Sequence, residues 1–171
     1  MKFLKEKITD AVSEETGIDL KDNDLEIVKD GSEIILALWD NHLFECEIQD
    51  DSVLEDEEFA EELIDSLFDE YYDLREKIIE LKLLNVNGKY ISQISQKFIE
   101  KLKEKKVARG LLDILDFEFI NADLEETWGY PPIYLRITDF EKLEHNCHVD
   151  ITKDPIVIDY EAITKELLKK I

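Results

Sequence analysis

The chain has 171 residues, 44% of them hydrophobic, with only 5 Gly and 3 Pro. That is enough apolar material for a packed core, which excludes a disordered acidic tail. Its 43 Asp and Glu against 21 Lys and Arg leave a net charge of −22. Such a charge repels DNA, RNA and anionic membranes and favours a partner with a basic surface. No stretch approaches the ~18 apolar residues of a membrane span. The opening "MKFLKEKITDAVSEE" has no apolar centre of the kind a secretory signal carries. A cytoplasmic location with reduced thiols at Cys46 and Cys147 is the expectation.

In chain order, residues 2–16 form a first helix, with Phe3, Leu4, Ile8 and Val12 on one side and Gly17 ending it. "LEIVKDGSEIILALWDNHLFECEIQD" then predicts a three-strand meander at 25–29, 33–39 and 42–49, turning at "KDGS" and "WDNH". In the third strand Phe44, Cys46 and Ile48 should face one way and Glu45 and Glu47 the other. Ser52 and Glu55 match a capping box. It would open a helix running from Val53 to about Leu84, with Phe59, Leu63, Leu67, Tyr71, Leu74 and Ile78 as its apolar stripe.

"NVNG" at 85–88 predicts a break. Another helix follows at about 90–108, on the stripe Ile91, Ile94, Phe98 and Leu102. Lys105, Lys106 and Arg109 crowd its end, and Gly110 closes it. Cations there suit the helix dipole, so the cluster reads as a helix terminus before it reads as a nucleic-acid patch. Three strands follow: one through Leu115, Phe117 and Phe119, one through Ile133, Leu135 and Ile137, and one through His145, Cys147, Val149 and Ile151. "PIVID" at 155–159 is a candidate fourth strand, and residues 160–170 a final helix. The fold class is α+β, with antiparallel strands and helices packed on one face. Two similar α-βββ-α halves at 1–84 and 89–171 are suggested, or one continuous domain. "HLFEC" and "HNC" would place a His and a Cys on the inward face of each half's third strand.

Opposite the apolar stripe lie Glu58, Glu62, Asp65, Asp69, Asp73, Glu76 and Glu80, spaced by three or four residues along one helical face. On an unbroken helix they would span about 33 Å, close to the rise of about ten DNA base pairs at roughly 3.4 Å each. Residues 45–80 hold 16 acidic and 2 basic residues, so −14 of the −22 lies there. Like charges at i,i+4 cost a few tenths of a kcal/mol per pair, which a mixture with Lys would avoid. Two readings compete: a solvated helix face, or a ridge that imitates a row of phosphates and fills a basic groove. "DNDLE" and "DDSVLEDEE" lack the glycine of a Ca²⁺ loop.

Cys46, Cys147 and His145, with His42 or His148, are conceivable zinc ligands, although their spacing matches no familiar pattern. No nucleophile elbow, Walker A, dinucleotide-binding or H-E-x-x-H motif occurs, and no cofactor is expected. "LEETWGYPPIY" makes a stiff aromatic loop. In it, Trp128 and Tyr130 either anchor a partner or cover the core.

In element order and charge, the first half resembles some small phage anti-CRISPR inhibitors. The resemblance covers about half the chain and includes no motif. It implies a non-catalytic acidic inhibitor of a nucleic-acid-processing protein. An immunity protein against a basic nuclease toxin fits the same physics. An enzyme with a carboxylate or zinc site, and a structural or assembly subunit, are the alternatives.

Overall fold

A computed structural model describes residues 1–121, 133–139, 141–148 and 158–169. Trp128, Tyr130 and the candidate strand residues 155–157 lie outside them. The described residues build an α+β fold with two three-stranded antiparallel sheets. Contacts divide the chain into two units, one holding Met1–Asn85 and the other beginning at Val86.

In the first unit, helix α1 (Lys2–Thr16) precedes strands β1 (Leu25–Asp30), β2 (Glu33–Leu38) and β3 (Asn41–Glu47). Gly17 ends α1 in the left-handed region at φ 68°, where a side chain would be strained. The β1–β2 turn places Gly31 at φ 62°, and the pair Asp30/Glu33 closes a two-residue loop. Trp39 and Asp40 make the β2–β3 turn, both with positive φ. Non-glycine residues rarely sit there, and Trp39 is held in place from several sides. Its backbone N–H and its indole N–H donate to the backbone and side chain of Asp24, at 2.9 and 2.8 Å. The Lys82 ammonium lies 4.6 Å from its ring centre.

Ile34, Leu36 and Leu38 of β2 bury against Leu4, Ile8 and Val12 of α1 and against Leu63 and Leu67. Strand β3 departs from simple alternation. His42 pairs with Ala37 and Phe44 with Leu36, so Leu43 is the extra residue of a bulge. Leu43 is buried, Phe44 and Cys46 are half-buried, and Glu45 and Glu47 are exposed. The bulge also leaves His42 exposed beside Glu45, not inward as the alternation predicts.

The second unit holds α4 (Ile91–Glu104), the one-turn helix α5 (Arg109–Leu112), β4 (Asp116–Asn121), β5 (Ile133–Thr138), β6 (Glu144–His148) and α6 (Tyr160–Leu168). Ile94, Phe98 and Leu102 are the buried stripe of α4. The Phe98 ring stacks on Phe117, centres 5.8 Å apart, and meets Tyr160 at 4.8 Å. The end of α4 differs from the sequence expectation. It stops at Glu104, and Lys106 takes the left-handed conformation at φ 62°. Lys106 N–H reaches Lys103 O at 2.9 Å and Val107 N–H reaches Leu102 O at 3.2 Å, the paired bonds of a Schellman ending. Gly110 therefore closes nothing and sits inside α5.

A second difference concerns "NVNG". Helix α3 (Leu74–Lys89) runs straight through it. Asn87 offsets the poor helix propensity there: its side-chain amide donates to Phe119 O at 3.1 Å and accepts from Phe119 N–H at 2.8 Å.

In the same unit, Asp139 is only 3% exposed. Its carboxylate accepts from Glu141 N–H at 2.9 Å and Leu143 N–H at 3.1 Å, and meets His145 Nε2 at 2.7 Å. Burial pushes its pKa up, but those hydrogen bonds outweigh burial and leave the carboxyl below its ordinary value.

Candidate partner-binding surface

The long acidic helix expected from Val53 to Leu84 is three pieces. Asp51–Glu55 is a 3₁₀ turn, α2 covers Glu57–Glu70, and α3 follows from Leu74. The Ser52/Glu55 capping box does not form. Asp50 caps the 3₁₀ turn by accepting from Ser52 N–H at 2.8 Å. Asp56, in extended conformation, caps α2 by accepting from Glu58 N–H at 2.8 Å and Phe59 N–H at 3.3 Å. Each aspartate satisfies donors that a helix start leaves open.

The second interruption has no glycine or proline. Tyr71 turns extended, at φ −114° and ψ 125°, and its hydroxyl donates to the Leu43 carbonyl. Asp73 then restarts the chain as a cap, accepting from Glu76 N–H at 3.0 Å. Tyr72 between them is fully exposed. Asp73→Ala should therefore cost about 1 kcal/mol, read as a lower urea midpoint, whereas Asp73→Asn should be close to neutral. Equal stability of the Ala variant would show that α3 does not depend on this cap.

These breaks redistribute the seven predicted acids. Glu58, Glu62, Asp65 and Asp69 share α2, Glu76 and Glu80 belong to α3, and Asp73 is spent on the joint. All seven are exposed. The straight 33 Å ridge is thus replaced by an α2 ridge of about 16 Å and a separate pair on α3.

The few cations nearby are directed elsewhere. Arg75 donates to Thr16 O at 2.8 Å, at the end of α1, where a cation complements the dipole. Lys77 pairs with Glu80 at 3.4 Å. Lys7 pairs with Glu57, and Lys29 with Asp51. Among the described residues no cation forms an ion pair with Glu58, Glu62, Asp65 or Asp69.

Beside the ridge is an open groove of about 370 Å³, lined by Glu47, Ile48, Gln49, Val53, Asp56, Glu58, Phe59 and Glu62. Ile48 is buried and Val53 and Phe59 are half-buried, so the floor is apolar and the rim carries four carboxylates. Sequence periodicity misses this groove, because its lining comes from β3, the 3₁₀ turn and α2 together.

Among the described residues no group of three or more His, Cys, Asp or Glu is placed to hold a metal ion. Burial raises the Cys46 thiol pKa. It pushes Cys147 up to about 11, with the Glu166 charge adding to the effect. Both thiols are held in the protonated, less nucleophilic form. Among the described residues no helix is long and apolar enough to cross a membrane. No protein-family model, curated protein or solved structure matches this chain.

Proposed function

We propose that the protein is a non-catalytic acidic binder that docks on the basic surface of a partner through α2 and the adjoining groove. In its most specific form it is an inhibitor that occupies the nucleic-acid site of a nucleic-acid-processing protein. The observation that carries this reading is the α2 ridge: four exposed carboxylates on one helical face with, among the described residues, no cation in an ion pair with them. Surface acids kept only for solvation are commonly interleaved with Lys at i,i+4. Here the neighbouring cations serve α1, Glu57 and Glu80 instead. Fully exposed Tyr72 between α2 and α3 adds an aromatic contact of the kind enriched at interfaces.

The reading is tested by capturing partners on the immobilised chain and eluting with rising salt or with duplex DNA. A basic, nucleic-acid-binding partner released by both is the expected result, since screening weakens exposed charge pairs. A partner indifferent to salt and DNA would sink the mimicry reading and move the interface off the acid.

A further inference from the structure

We propose that the groove between β3 and α2 is the seat for an arginine side chain carried on an extended basic segment of the partner. This rests on the basic-partner reading above and assigns it a specific contact. The groove offers two chemistries side by side. Ile48, Val53 and Phe59 give an apolar floor, and Glu47, Asp56, Glu58 and Glu62 give an anionic rim. A long cationic side chain matches both, with its aliphatic stem on the floor and its charged head at the rim. Among the described residues no Lys or Arg lines the groove, and none of its eight lining residues offsets the charge of the rim.

Strand pairing sharpens the charge further. Glu47 lies directly opposite Glu33, and like charges at such a position are destabilising. A bound cation would relieve that repulsion. Asp56 is committed to the start of α2, which leaves Glu47, Glu58 and Glu62 to receive the ligand. Arginine suits this site better than lysine. Its guanidinium is planar and weakly hydrated, forms two parallel hydrogen bonds to a carboxylate, and stacks on an aromatic face such as Phe59. The volume of about 370 Å³ is near the lower end of the roughly 300–1,000 Å³ of ligand sites. It admits one side chain and its backbone rather than a packed helix.

The test uses the full chain with acetylated tetra-arginine and tetra-lysine peptides at low salt, followed by NMR and by fluorescence anisotropy. Tetra-arginine should give saturable shifts at the Ile48 and Val53 methyls and the Phe59 ring, with tetra-lysine at least about threefold weaker. Exposed Glu47 can change without disturbing the core, and Glu47→Gln should raise the arginine-peptide Kd about fivefold. The paired change Glu14→Gln with Glu15→Gln, exposed on α1 and outside both the groove and the α2 ridge, should change it by less than about twofold. The groove assignment is overturned if Glu47→Gln has no effect while Asp65→Asn with Asp69→Asn, on the α2 ridge outside the groove, abolishes binding. The acidic-surface reading would survive that result. Equal Kd values for the two peptides overturn the choice of arginine. No binding of either peptide overturns both the groove and the surface reading.

Discussion

Replacing Glu58, Glu62, Asp65 and Asp69 together, by Gln, Gln, Asn and Asn, is expected to abolish salt-sensitive retention of the basic partner while leaving the fold intact. The salt needed to elute whatever partner remains bound should fall by at least about half, because the charges that screening acts on are gone. All four side chains are exposed and form no ion pair among the described residues, so no structural contact is lost. The helix itself should gain. Glu58 stands in the first turn of α2, where an anion suits the dipole, but Asp69 stands in the last, where it opposes it. The contacts 58–62, 62–65 and 65–69 are all repulsive neighbours. The urea midpoint of the variant should therefore equal or exceed that of the parent. A fall in midpoint would make the acids structural, and undiminished retention would place the interface elsewhere.

Asp139→Ala is expected to cost the second unit roughly 3 kcal/mol at neutral pH. The substitution would strand two backbone N–H groups and a His145 ring nitrogen that now meet one buried carboxylate. Asp139→Asn keeps an acceptor for the backbone and should cost less. The loss should depend on pH. The carboxyl is held below its ordinary value in the folded chain, so its contribution is complete above the unfolded value, about pH 3.9. It is lost as pH falls through the lower folded value. Urea unfolding of parent and Ala variant at neutral pH and at successive acidic pH values should give a gap that closes below about pH 4. A gap constant with pH would mean that Asp139 acts by packing and not by charge.

The meander is legible in the sequence because its signals are local: the Gly31 turn needs glycine, and β2 alternates Ile34, Leu36 and Leu38 inward. The α4 stripe is legible for the same reason. The break in the acidic helix is hidden because nothing local demands it. Leu67, Tyr71, Leu74 and Ile78 keep helical spacing across the joint. What bends the chain is a distant bond, from the Tyr71 hydroxyl to the Leu43 carbonyl. The capping signal was nonetheless written at the joint, as Asp73 and Glu76 three residues apart. The persistence of α3 through Gly88 is hidden in the same way, since the Asn87 bonds to Phe119 reach across 32 residues. Of the candidate site, the exposed acids are visible from periodicity, whereas the groove exists only once β3 lies beside α2.

The first sheet ends on β1 at one side and β3 at the other, and among the described residues neither strand has a further partner. Open strand edges invite another chain to add on and start an aggregate. Here the edges carry Glu26 and Asp30 on β1 and Glu45 and Glu47 on β3, all exposed. Carboxylates along both borders make edge-to-edge docking of two copies repulsive. That protection is a property of the solution as much as of the fold. Near the isoelectric point, at about pH 4.4, the chain carries no net charge, the repulsion fades, and colloidal solubility passes through its minimum.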